Sequence, residues 1–247
     1  VPLSLARMPR ETQFAVFEIG MSTPGEIAPR SVMVAPHAAL ITKIAAAHLE
    51  GVGTVEGVAR EKADIFAGLL PGGEILLPQD SEFLDSLRGR ALSHQSQATV
   101  SSVRGLSSQV EAGTSRIALS GFDDVLAVNL PAIGDHWADN AAAAILAACA
   151  GSGIDPRRAA ASLAKYKLPP GRGTVETLAL PGGGSFTLID DAYNANPESM
   201  RAAMAAVAKR AGDSRKLLAL GQMGEIGVSS EAEHIGLAEP LGAHEAD

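Results

Sequence analysis

The sequence predicts an α/β protein: a three-layer, mostly parallel central domain over residues 1–170, followed by the start of a Rossmann-like α/β domain over residues 171–247. Three observations predict it. Short apolar runs alternate with longer amphipathic stretches, the rhythm of right-handed βαβ units and a parallel sheet. The segment Leu168-Pro-Pro-Gly-Arg-Gly173 breaks that rhythm sharply enough to end one unit and begin another. Hydrophobic residues make up 46% of the chain and charged residues 19%, which fills a sizeable core and excludes a disordered chain.

Phe14–Ile19 is a nearly continuous apolar run, the pattern of a parallel strand covered on both faces, and Ala38–Ile44 reads as a second strand. Thr54 is placed to cap a helix that runs to about Leu70 and stops at Pro71-Gly72-Gly73. Glu74–Leu77 is a strand, and Ser81 caps the next helix. From Gln97 to Leu130 the pattern shifts to short β-rich pieces, Thr99–Val103, Arg116–Ser120 and Val125–Leu130, which predict hairpins or an edge extension. Helices return at His136–Ala150 and, after Asp155-Pro156, at Arg157–Tyr166. Beyond the break come a strand, a turn at Pro181–Gly184, the strand Ser185–Ile189, a helix over Pro197–Arg210, a strand at Lys216–Leu220 and a helix from Ser230.

Aromatics are only 4% of the chain, and Ala-rich stretches such as Ala141–Ala144 take their place, favouring closely packed helices on sheets. The net charge of −8 argues against nucleic-acid or anionic-membrane binding, which needs clustered Lys and Arg. The single cysteine, Cys149, lies in an apolar run and reads as a small buried hydrophobe, which fits a reducing, cytoplasmic setting. No apolar run approaches the roughly 18 residues a membrane helix needs, and no basic stretch followed by an apolar one is visible at the start to suggest a signal peptide. Val1 is not a Met, and the chain stops soon after a Pro-interrupted helical pattern. A piece of a longer protein is therefore expected.

Several residues invite chemistry. Glu18 closes the first predicted strand, the edge of an open α/β sheet where ligands gather, and its carboxylate suits a metal; a solvated strand end explains it as well. His48 follows the second strand, in a loop where capping is the usual role and where magnesium favours oxygen over imidazole. Lys62 falls within the apolar stripe Val58, Ile65, Phe66 and Leu69, so it must snorkel, pair with an acid or lose its charge. Arg172 sits between glycines at the break, where a phosphate could meet its guanidinium, although a flexible linker would look the same. Asp190-Asp191-Ala-Tyr-Asn-Ala-Asn196 occupies a strand-to-helix turn, as ligand-binding or as capping residues. None of the lysines follows a glycine, so the sequence holds no Gly-Lys-Ser/Thr phosphate loop.

Taken in order, seven stretches resemble the Mur ligase family. They are Phe17-Glu-Ile-Gly-Met-Ser-Thr-Pro-Gly-Glu-Ile27, Ala47-His-Leu-Glu-Gly-Val-Gly53, Glu61-Lys-Ala-Asp-Ile-Phe66, His136-Trp-Ala-Asp-Asn140, Gly171-Arg-Gly173, Ile189 through Met200, and Leu220-Gly-Gln-Met-Gly-Glu-Ile-Gly227. The Tyr193-Asn-Ala-Asn196 segment and the Glu18-x-Gly start with its trailing Gly-Glu-Ile are similar to the branch that adds D-alanyl-D-alanine to a UDP-N-acetylmuramoyl-tripeptide.

The resemblance implies an ATPase-type central domain, ATP and Mg2+, and a ligation through an acyl phosphate in cell-wall precursor synthesis in the cytoplasm, by a protein that is a monomer when full length. It implies magnesium at Glu18 and His48, and a carbamylated Lys62 supporting the metal centre. It implies a nucleotide site at His136, Asn140, Arg172 and Asp191, with Asn140 at the adenine, and substrate contacts at Asn194 and Asn196. Trp137 stands where the family's H-N-x-x-N has its first Asn, and Gln222 where an Asp is expected. Without the phosphate loop, this chain is expected to be inactive alone, with the Lys62 amine free and paired to an acid such as Glu18. A folylpolyglutamate synthetase-like enzyme, another Mur ligase, or a non-catalytic remnant remains the alternative.

Overall fold

The computed structural model describes residues 1–46, 49–111, 114–119, 126–130 and 136–243. Its centre is a parallel sheet of β1 (Ala38–Leu40), β2 (Glu74–Pro78) and β3 (Thr99–Val103), in the order β1-β2-β3. Strand β2 is buried along its middle, as a central strand covered on both faces must be. Its side chains alternate. Ile75 and Leu77 join Phe66, Leu69, Leu87 and Ala91 on one face, while Leu76 joins Ala142 and Ile145 on the other. Helices therefore cover both faces of this sheet.

The helices before the sheet and on its first face are α1 (Pro2–Ala6), α2 (Ile27–Val34), α3 (Leu49–Val52), α4 (Val55–Ala63) and α5 (Leu84–His94). Thr54 caps α4, its hydroxyl oxygen accepting the Gly57 N–H at 3.0 Å. The α-helix ends at Ala63 and continues as a 3-10 turn over Asp64–Gly68. The helical stretch was expected to reach about Leu70. Phe83, not Ser81, is the N-cap of α5; Ser81 instead accepts the Phe83 N–H at 3.2 Å. Helix α2 lies on the 3-10 turn, where Gly68 faces the Ser31 carbonyl and the buried Ser31 hydroxyl donates to the Ile65 carbonyl.

The short β pieces resolve into both forms that the pattern allows. Strand β3 extends the parallel sheet, and β4 (Gly105–Glu111), β5 (Thr114–Leu119) and β6 (Ala127–Leu130) form a separate antiparallel sheet. Val128 and Leu130 pack on α6 (His136–Ser152), whose alanines Ala138, Ala141 and Ala142 permit close approach. Asp155 caps α7 (Pro156–Leu163), accepting the Arg157 and Arg158 N–H groups. Next come an antiparallel hairpin, β7 (Thr174–Ala179) and β8 (Ser185–Asp190), then α8 (Pro197–Ala211), α9 (Ser230–Ile235) and α10 (Ala238–Ala243). Met204, Met223, Ile226 and Leu237 form a core of their own, apart from the clusters on the parallel sheet. Among the described residues no helix is long and apolar enough to cross a membrane.

Two expected strands do not form. Residues 14–19 are without secondary structure, with Phe14 and Val16 exposed, because among the described residues no strand offers them a ladder. Lys216–Leu220 shows a single bridge at Lys216, and Leu217 and Leu220 stay exposed for the same reason.

Candidate nucleotide and metal site

Helix α4 presents two neighbouring charged residues to two different loops. Buried Glu61 accepts the Gly25 N–H at 2.6 Å, and half-buried Lys62 donates from Nζ to the Lys43 carbonyl at 2.6 Å. Burial lowers the Lys62 pKa, because desolvation penalises the ammonium form. The core-side register read from the sequence is thus correct, but the partner is not Glu18. A backbone carbonyl lies within reach of the amine, whereas Glu18 sits exposed in the unpaired segment and not at a strand end.

Loop 20–26 beside it is shaped by carboxylates. Glu26 Oε2 accepts the Ser22 and Thr23 N–H groups at 2.7 and 3.3 Å, which holds its own carboxyl below the usual range. Arg30 ties down the same loop through Glu26 and the Gly20 carbonyl. Gly51 of α3 abuts the Ser22 carbonyl so closely that no side chain fits. His48 lies outside the described residues. Among the described residues no group of three His, Cys, Asp or Glu side chains could hold a metal ion.

The second cluster is better assembled. At the break, the Gly171 carbonyl accepts the Tyr193 N–H at 3.0 Å and the Gly173 N–H donates to the Asp190 carbonyl at 2.8 Å. Both glycines have positive φ, +73° and +79°, as such a tight approach requires. The Arg172 guanidinium therefore lies 3.9 Å from the centre of the Tyr193 ring, a cation–π contact. Partial burial lifts the Asp191 pKa; the nearby His136 and Arg172 pull it down and Asp190 pushes it up. His136, Arg172 and Asp191, distant in sequence, thus share one electrostatic neighbourhood. Asn140 lies one helical turn beyond His136 on α6, exposed.

The asparagines divide. Asn194 is exposed, its Oδ1 accepting the Ala195 N–H at 2.8 Å. Asn196 caps α8 in a capping box, its Oδ1 taking the Ser199 N–H at 2.8 Å while Ser199 Oγ takes the Asn196 N–H at 3.0 Å. Its side-chain oxygen serves the helix.

A family profile described as the Mur ligase middle domain matches residues 1–148. The chain belongs to the Mur ligase family. A second profile, described as the Mur ligase, glutamate ligase domain, matches residues 171–247 of this Mur ligase chain. The UDP-N-acetylmuramoyl-tripeptide–D-alanyl-D-alanine ligase of Escherichia coli K12 is 35% identical over 247 residues, covering 97% of this chain and 52% of that enzyme. The enzyme of the same name in Bacillus subtilis is 35% identical over 235 residues, covering 95% and 50%. A crystal structure of MurF from Acinetobacter baumannii superposes with a TM-score of 0.86 at 31% identity, over 97% of this chain and 52% of that one. The chain spans about half the length of the curated relatives it matches.

Sequence reasoning did not single out several residues that make contacts in these two clusters of the Mur ligase chain. Glu61 lies three residues after Val58 and four before Ile65, so the same helical register that turns Lys62 towards the core also turns Glu61 there. Lys43 and the ring of Tyr193 act through tertiary contacts, for which no local pattern exists.

Proposed function

We propose that this chain is the central and following part of an ATP-dependent ligase that joins D-alanyl-D-alanine to UDP-N-acetylmuramoyl-tripeptide in the cytoplasm. The observation that carries this reading is 35% identity, sustained over 97% of the chain, to the ligase of that name. We divide the chain into a central ligase domain, 1–170, and the first part of a C-terminal domain, 171–247. The separate core around Met204 and the close glycine contacts at Gly171 and Gly173 support that boundary.

In this reading ATP transfers its γ-phosphoryl group to the tripeptide carboxylate, releasing ADP. The amine of D-alanyl-D-alanine then attacks the acyl carbon, and phosphate leaves. Arg172 neutralises phosphate charge from its perch on Tyr193, and Asp191 takes the ribose, its carboxylate held near His136. His136 and Asn140 face the adenine, and Asn194 contacts substrate. Glu18, through its carboxylate oxygens, and His48 would be the residues to hold Mg2+, which would supply charge neutralisation for the phosphates. Burial lowers the Lys62 pKa, the direction that favours the neutral amine carbamylation requires, and in this reading its carbamate supports the metal centre.

A replacement chimaera tests the reading. Residues 1–247 take the place of the matching half of the Escherichia coli enzyme, and ADP release is measured with the tripeptide nucleotide. Release that needs D-alanyl-D-alanine and disappears in Lys62→Ala supports the assignment. A folded chimaera that releases no ADP with that dipeptide, or that accepts glutamate in its place, refutes it.

A further inference from the structure

Lys43 does two things at once. Its backbone carbonyl accepts from Lys62 Nζ, and its own ammonium meets Glu198 Oε1 at 2.5 Å. Lys43 closely follows β1 on the sheet edge, in the segment matched by the middle-domain profile. Glu198 lies in the first turn of α8, in the segment matched by the glutamate ligase profile. Its position is fixed, because the Asn196–Ser199 capping box locks the turn that carries it. The turn also directly follows the Asp191–Asn196 segment. A second contact joins the same two matched segments, where α3 touches the 3-10 turn Gly227–Ser229.

We propose that Lys43 and Glu198 are positioning residues: an ion-pair clasp that holds the Asp191–Asn196 edge against the β1 edge where the Lys62 amine is anchored. The clasp acts between the segment that follows β1 and a capped helix turn. It does not depend on the ligase reading, since it concerns only how the two parts of this chain face each other. Both side chains are at least half exposed, 64% for Lys43 and 50% for Glu198, so water screens the attraction. Exposed pairs of this kind shift an equilibrium by about two- to five-fold. That is enough to bias a clasped form over an open one without locking it.

The test uses the 247-residue chain with Cys149→Ser and dye labels at Ser86→Cys and Ser214→Cys, both exposed. Single-molecule energy transfer then reads the clasped-to-open ratio at low and high salt. Lys43→Met and Glu198→Gln should each lower the ratio by about two- to five-fold at low salt, with little further loss in the double variant. The wild-type ratio should fall with salt and the variants' ratios should not. Lys43→Glu should open the chain further, and adding Glu198→Lys should restore it. An unchanged distribution in the single variants, additive losses in the double, or no recovery on charge exchange would each overturn the clasp.

Discussion

Substituting alanine for glycine at two positions should change stability in opposite directions. A methyl group on Gly68 would fall within 3.0 Å of the Ser31 carbonyl, which is main chain and has no flexible end to turn away. Helix α2 must then back off the 3-10 turn. Ser31 is wholly buried, and its hydroxyl bond to the Ile65 carbonyl breaks as the helix moves. A buried hydroxyl left without a partner costs about 1–3 kcal/mol. Overpacking costs a further ~1–3 kcal/mol. Against this, alanine restricts the unfolded chain by about 0.4–1 kcal/mol. Gly68→Ala should therefore destabilise by roughly 1–5 kcal/mol, centred near 3. Gly89 lies exposed inside α5, with nothing within 4 Å of an added methyl and no positive φ. There the same change should stabilise by about 0.5–1 kcal/mol. Urea unfolding followed by circular dichroism separates the two, because at a slope near 3 kcal/mol/M the first loss moves the midpoint by about 1 M. If both variants shift the midpoint in the same direction, the packing argument fails.

Gly171→Ala places a methyl 3.1 Å from the Tyr193 nitrogen at φ +73°, so it should cost about 1–3 kcal/mol, while Gly182→Ala, with nothing within 4 Å, serves as the neutral control; hydrogen exchange at the Tyr193 amide should rise only in the first. Lys62 has a folded pKa below its ordinary value near 10.4, so the folded state binds fewer protons in that interval and wild-type stability must rise with pH across it. Lys62→Met should remove that rise, and urea midpoints at pH 7.5 and 10 that keep a constant wild-type-to-variant gap would exclude the burial effect.

How much was legible follows from how local each determinant is. The alternation of β2 with α4 and α5 and the Thr54 and Asp155 caps are written in neighbouring residues, and they appear as read. Phe14–Ile19 shows the opposite case. Its composition asks for a strand, but a strand exists only when another chain segment completes its ladder, and among the described residues none does. Glu18 loses its strand-end position with it.

The site divides along the same line. Lys62 was found because helical register is a local property, yet its partner, the Lys43 carbonyl, is a backbone atom that any residue would supply at that position. Side-chain identity therefore carries no trace of it. His136, Arg172 and Asp191 were each singled out or matched one by one, and folding gathers them into one electrostatic neighbourhood. A sequence can place residues at the ends of elements. Whether those ends meet depends on contacts such as Lys43–Glu198, where two exposed charges with ordinary surface roles elsewhere become informative only by lying 2.5 Å apart.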